Sequence, residues 1–379
     1  METSIEVERR RFVRAYATGV WTMTELCARF GITRPTGYKW VARWRAEGEP
    51  GCVDRSSAPH TSPHRTDATR AEQIVAARHE YGWGATKLLA VLRRRHPECA
   101  WPARSTVNAL LEHRGLLRKQ RRTRRWPHPG AAPLATTAPN QVWPADFKGQ
   151  FKTQDGVYCY PLTVTDHFSR AVLLCRALPS TTAADARPAF RALFEAVGLP
   201  DAIRTDNGAP FASLGLHGLT ALTLWWMQLG IQHQRNRPGY PQGNGTHERM
   251  HRELKRETAT PPAATTRAQQ RRFQQFQRRY NEERPHEALA DRTPAMLWQP
   301  STRPYPRRPV PPEYPSHWEV RRVKPGGEFT YHGRRVFLSQ VLRAADVGLE
   351  PIGDGLWNVV YYHTVLARWD ERTGTVTPG

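Results

Sequence analysis

The sequence predicts a multidomain α+β protein: small helical modules at the N-terminus, a central mixed α/β sheet flanked by helices, and a small C-terminal all-β barrel. Three observations predict it. Apolar residues recur at helical spacing from Glu6 to Leu111. From Gln141 the pattern changes to apolar strands that then alternate with helices. Beyond a proline-rich stretch at Pro304–Pro315, short strand-like runs and glycine turns fill the remainder.

Taken in order, residues 1–55 read as three short helices. Phe12, Val13 and Tyr16 share a face of the first. Thr22-Met23-Thr24-Glu25 is a capping box that starts the second, which buries Leu26, Cys27 and Phe30 and ends at Gly31. Thr33 is placed to cap the third, with Pro35 in its first turn. That helix carries Arg34, Lys39 and Arg43 beside Tyr38 and Val41. Helix, glycine turn and basic helix make the helix-turn-helix layout, whose second helix enters a DNA groove. Residues 66–117 repeat the theme around Ile74, Leu88, Leu92, Val107 and Leu111, a second helix-turn-helix-like unit. Residues 118–139 form a basic, Pro-rich linker suited to lie on phosphates.

The core is expected over 140–300. Val157–Thr165 and Ala171–Leu178 form a hairpin about Asp166-His167-Phe168-Ser169-Arg170. A helix follows near Thr181–Val197, a strand at Ala202–Thr205, an apolar helix at Leu219–Leu229 and a strand at Ile231–Gln234. Helices near Asn244–Thr258 and Thr266–Glu283 close it. Residues 316–379 are expected to form the barrel, with strands at Phe329–Tyr331, Arg335–Leu338, Asn358–Tyr362 and Val365–Trp369.

The chain has 56 Lys+Arg against 34 Asp+Glu, a formal charge of +22, and 39% hydrophobic residues. Such a surface calls for a polyanion, and nucleic acid is the usual one. No apolar run approaches a membrane span, so a membrane partner is not expected. Five cysteines without a C-x-x-C pair argue against a disulfide framework or a cysteine zinc site and for a reduced, intracellular protein.

Three acids stand in settings that suit chemistry. Asp146 lies on the strand opening the first apolar block, Asp206 where a strand stops at Asp206-Asn207-Gly208, and Glu248 in the first turn of a helix. Breaking a phosphodiester requires an in-line nucleophile and relief of charge on the phosphoryl group. Two hard divalent ions held by carboxylates supply both, which points to Mg²⁺ or Mn²⁺. On the helix near Asn244–Thr258, Glu248, Arg252 and Lys255 share a polar face, while Met250 and Leu254 form a narrow stripe that could dock on the sheet. Taken singly, each acid reads as a cap or turn residue; together they make a candidate site.

Trp143-x-x-Asp146-Phe147-Lys148, Thr163-x-Thr165-Asp166-x-x-Ser169-Arg170 and Arg204-x-Asp206-Asn207-Gly208 resemble the integrase core of bacterial insertion-sequence transposases. So do Arg237-Pro238-x-x-Pro241-Gln242-x-Asn244-Gly245-x-x-Glu248-Arg249 and Tyr280-Asn281-x-x-Arg284-Pro285-His286. The resemblance, over roughly Pro139 to Pro300, implies an RNase H-like fold of the retroviral-integrase superfamily. It assigns Asp146, Asp206 and Glu248 as catalytic and metal-binding residues holding two Mg²⁺ (or Mn²⁺). It implies cleavage at element ends and transfer of the freed 3′-hydroxyl into target DNA. Double-stranded DNA is the implied partner, as terminal inverted repeats and target, gripped by Arg34, Lys39, Arg43, Arg252 and Lys255. A homo-oligomer, at least a dimer on DNA, and a cytoplasmic, nucleoid-associated setting in a bacterium follow. An inert DNA-binding regulator and an RNase H-like nuclease without joining activity are the alternatives. Asp166 reads as a hairpin residue pairing with Arg170. Pro144 departs from a central strand, so the strand is expected to begin after it or to bulge. Trp225 and Trp226 lengthen the interval between Asp206 and Glu248 and read as core. No His-His-Cys-Cys zinc pattern precedes the core.

Overall fold

A computed structural model describes residues 5–55, 66–117, 136–213, 215, 218–236 and 245–378. The basic stretch from Arg118 to Arg125 and the Arg237–Asn244 part of the motif lie outside the described residues. The chain divides into two compact units, Met1–Asp67 and Ala68–Gly379. Among the described residues no helix is long and apolar enough to cross a membrane.

In the first unit, helices α1 (Ile5–Ala17), α2 (Met23–Phe30) and α3 (Arg34–Glu47) enclose Phe12, Val13, Leu26, Cys27 and Val41. The Thr22–Glu25 capping box forms, and Gly31 takes a left-handed conformation at the end of α2. Thr33 sits at the start of α3 but caps no backbone amide; its hydroxyl meets that of Thr36 at 2.9 Å instead. Gly37 lets α3 approach closely. A Cβ there would stand 2.7 Å from Cys27 Sγ and 2.9 Å from Phe12 Cζ.

The second unit opens with α4 (Ala68–Tyr81), α5 (Ala85–Arg95) and α6 (Arg104–His113), packed about Ile74, Leu88, Leu92, Val107 and Leu111. A mixed sheet follows, built from β1 (Val142–Phe147), β2 (Phe151–Lys152), β3 (Tyr158–Thr165), β4 (Val172–Leu178), β5 (Ala202–Thr205) and β6 (Gln232–Arg235). β4 pairs with β3 and β3 with β1, both antiparallel, while β1–β5 and β5–β6 are parallel. Strand β1 runs through Pro144 without a bulge. Residues 142–144 pair with β5 and residues 145–147 with β3, so the proline falls where the strand exchanges partners.

Alternation along β3 divides the core. Leu162 and Val164 join Trp143, Ala145, Ile203, Phe190 and Phe194 of α7 (Ala183–Val197) and Trp226 of α8 (Ala221–Gln228) on one face. Cys159, Val172 and Cys175 meet α9 (Gly245–Thr258) and α10 (Thr266–Arg278) on the other, through Met250, Leu254, Phe273 and Phe276. Trp225 and Trp226 are both buried, as core residues.

The C-terminal region is not a closed barrel. An open five-stranded sheet contains β7 (Glu319–Arg322), β10 (Asp346–Gly353), β11 (Leu356–Tyr361), β12 (Thr364–Asp370) and β13 (Val376–Pro378) in the order β13-β12-β11-β10-β7. A separate hairpin, β8 (Glu328–Tyr331) with β9 (Arg334–Phe337), packs on it. Closure fails because that hairpin pairs only with itself. Its apolar interior is completed by Leu219, Leu224 and Met227, so α8 is buried between two cores.

Candidate active site

The β1 register sets Asp146 opposite Thr163, on the face turned away from Trp143 and Ala145. Its side chain is 25% exposed. Burial, then the negative charges of Asp206 and Glu248, push its carboxyl up to about 7 from an ordinary 3.8, against the opposing pull of the Phe147 amide and Lys148. Asp146 and Glu248 therefore lie near enough to repel, and both line one open cavity of about 790 Å³. Lys148, His251, Arg252, Lys255 and Arg256 line the same cavity, and Lys148, Arg252 and Lys255 make its wall cationic around two acids, Arg256 being paired with Glu253 and Glu257.

Asp206 follows the last residue of β5 and is exposed. Its Oδ1 accepts from the Gly208 amide at 3.2 Å, and Asn207 donates to the Asn236 carbonyl at 2.9 Å, fixing the turn. Asp206 does not line the cavity, although its charge is felt at Asp146. Glu248 stands in the first turn of α9, exposed, with Arg252 and Lys255 on its side of the helix.

Sequence reasoning missed two residues. The buried stripe holds His247 and His251 as well as Met250 and Leu254; with Thr258, five positions at helical spacing face the sheet. The signal was their spacing, since 247, 250, 251, 254 and 258 form one unbroken stripe. His247 joins Thr163 Oγ1 (Nε2, 2.8 Å) and Thr165 Oγ1 (Nδ1, 2.9 Å). His251 Nε2 lies 2.6 Å from Thr163 Oγ1, and its Nδ1 lies 3.7 Å from Asp146 Oδ2. Burial holds both rings neutral, His247 at about 3 with help from Lys148, and His251 at about 2 with help from His247 and then Lys148. A carboxylate oxygen of Asp146 and one ring nitrogen of each histidine lie within 4.8 Å of one another.

Asp166 does not pair with Arg170 through its side chain. It is buried, and its carboxylate accepts from the amides of Asn140 (2.7 Å) and Ser169 (2.7 Å) and from the Ser169 hydroxyl (2.7 Å), bracing the hairpin from within. In the other unit, Arg34 and Lys39 are exposed on α3 and Arg43 is half-buried.

Two integrase core domain families match residues 136–241 and 229–294, and the leucine-zipper family of insertion element IS481 matches residues 6–80. The 39.2 kDa protein of insertion element IS476 from Xanthomonas euvesicatoria is 29% identical over 249 residues, 63% of this chain and 67% of that protein. The 31.7 kDa protein of insertion element IS407 from Burkholderia multivorans is 28% identical over 235 residues, 60% of this chain and 79% of that one. Among solved structures, a simian T-cell lymphotropic virus intasome has TM-score 0.38 and 19% identity, over 76% of this chain and 96% of that chain. The HTLV-2 integrase catalytic core in complex with magnesium has TM-score 0.33 and 19% identity, over 44% of this chain and 99% of that chain.

Proposed function

We propose that this chain, a relative of insertion-element proteins that carries an integrase core domain, is a transposase that cleaves phosphodiester bonds at element ends and joins the freed 3′-hydroxyl to target DNA. The observation that carries the reading is the cavity that Asp146 and Glu248 line together with Lys148, Arg252, Lys255 and Arg256, with Asp206 near enough to act electrostatically on Asp146. A phosphodiester is an anion, and a basic wall draws it in and holds it. Mutually repelling carboxylates at the centre suit hard divalent cations, because a carboxyl group held up near 7 by burial and by its acidic neighbours gains from a positive charge.

Asp146, Asp206 and Glu248 would hold two Mg²⁺ or Mn²⁺ ions. When bound, such ions relieve charge on the phosphoryl group and activate the attacking oxygen. Arg252, Lys255 and Arg256 follow Glu248 along α9 and grip the DNA backbone that passes over the cavity. Arg34, Lys39 and Arg43 on α3 supply a separate DNA contact in a helix-turn-helix arrangement, and the protein acts on double-stranded DNA as at least a dimer. A strand-transfer assay with Mg²⁺ and oligonucleotides carrying the element ends tests this. The wild type is expected to give joined products, and Asp206→Asn to bind the ends normally and join nothing. An Asp206→Asn protein that joined as well as the wild type would refute the assignment. Cuts without joining would make the protein a nuclease, and binding alone a regulator.

A further inference from the structure

His251 is buried and its side chain reaches the cavity wall beside Asp146. The hydrogen bonds around it decide where its proton sits. Thr163 Oγ1 has three neighbours: the Asp146 carbonyl oxygen at 3.1 Å, His247 Nε2 at 2.8 Å and His251 Nε2 at 2.6 Å. A hydroxyl has one hydrogen and two lone pairs, and a carbonyl oxygen only accepts. Thr163 therefore donates to the carbonyl, and both imidazoles donate to Thr163 through Nε2–H. The His247 contacts are consistent with this, because its Nδ1 then accepts from the Thr165 hydroxyl at 2.9 Å.

The same tautomer leaves His251 Nδ1 with a bare lone pair, 3.7 Å from Asp146 Oδ2. That distance is too long for a hydrogen bond. It is close to the span of two ligands of one ion: atoms each about 2.1 Å from a shared octahedral cation stand roughly 3.0 Å apart when adjacent, so a shift of about 0.7 Å would bring both onto one ion. The arrangement behind it is also that of a metal ligand, whose second ring nitrogen is fixed by a hydrogen bond to a neighbouring group. His247 has no such lone pair to spare, since both its nitrogens are engaged.

We infer that His251, through Nδ1, is a fourth protein ligand of the divalent ion held at Asp146, alongside the three carboxylates. The inference rests on the proposed carboxylate site and adds a nitrogen to it. Imidazole is a softer donor than carboxylate, so His251 biases the site toward Mn²⁺ over Mg²⁺.

Pulsed electron paramagnetic resonance of Mn²⁺ bound to the full-length wild-type protein reads the ligand directly. A nitrogen-coupled Mn²⁺ is expected, with the signal changing when histidine is labelled with ¹⁵N and disappearing in Asp146→Asn. His251→Gln should lose the coupling and weaken Mn²⁺ binding on the order of tenfold or more, with a smaller change for Mg²⁺. The wild-type spectrum stands whether or not His251→Gln folds. Mn²⁺ that binds in an Asp146-dependent way without nitrogen coupling overturns the inference and leaves the carboxylate site standing. A wild-type protein that binds no Mn²⁺, with or without DNA, overturns both.

Discussion

Asp146→Asn is expected to stabilise the metal-free protein at alkaline pH. Raising the Asp146 carboxyl from 3.8 to about 7 disfavours its ionised form by on the order of 4 kcal/mol. A quarter of the side chain remains exposed, so hydration returns part of this and about 2–4 kcal/mol is the expected effect. The sign follows from linkage. The folded protein holds this proton more tightly than the unfolded chain does. The folded state is therefore favoured below pH 4, and that advantage is lost as pH rises from about 4 through 7. Asparagine is neutral throughout and carries no charge to be repelled by Asp206 and Glu248.

Differential scanning calorimetry in a chelator should therefore place the Asp146→Asn core transition several degrees above wild type at pH 8, with the two converging near pH 4. Adding Mg²⁺ or Mn²⁺ should raise the wild-type transition, since a ligand that binds only the folded state stabilises it, and leave the variant nearly unmoved. A variant that melted at or below wild type at pH 8 without metal would refute the claim that repulsion and burial set the state of Asp146.

Lys255→Ala or Arg252→Ala should weaken DNA binding at all sequences alike and lower the slope of log affinity against log salt by about 0.9 per lost phosphate contact, read by fluorescence anisotropy; an unchanged slope would remove these residues from the backbone path. Trp226→Ala empties a fully buried site between Phe190 and Phe211 and should cost about 3–5 kcal/mol in denaturant titrations. Gly37→Ala forces a methyl group against Cys27, Met23 and Phe12 and should cost the three-helix unit about 1–3 kcal/mol, seen as an earlier transition that leaves the main one in place.

Much of the core was legible because its signals are local. The hairpin of β3 and β4 shows itself in two apolar runs and a turn, and β5 matches its sequence limits residue for residue. The C-terminal strands were harder. β10 reads Asp346-Val-Gly-Leu-Glu-Pro-Ile-Gly, and its glycines and proline resemble a loop, yet pairing on both sides by β7 and β11 makes it a strand. Sheet closure depends on pairing between distant segments, so the open edge left by the β8–β9 hairpin was invisible in the pattern. Within the site, the acids stand out because each occupies a recognisable strand, turn or helix start. His247 and His251 did not, since their partners Thr163 and Thr165 come from a strand more than eighty positions earlier.

Repelling acids need a rigid frame, and the frame around Glu248 is traceable. Helix α9 is held below by Met250 and Leu254 against Phe273 and Phe276, a contact independent of any charge. Near its end, buried Arg284 pairs with Glu253 at 3.0 Å and reaches Glu257 at 3.9 Å, so two acids on the helix are neutralised away from the cavity. Arg284 also lies over the rings of Trp83 and Tyr280, and its neighbour Glu283 accepts from Tyr81 at 2.8 Å. The end of α9 is thereby tied to α4 and to the loop before α5. Gln269 of α10 donates to the Thr258 carbonyl at 3.0 Å and closes the helix terminus. Charge that the fold can neutralise is paired at Glu253 and Glu257, while at Asp146 it is left for the cavity. A helix fixed at its far end by ion pairs and along its length by apolar packing can present Glu248 at its near end without yielding to the repulsion, as a site built on rigid elements requires.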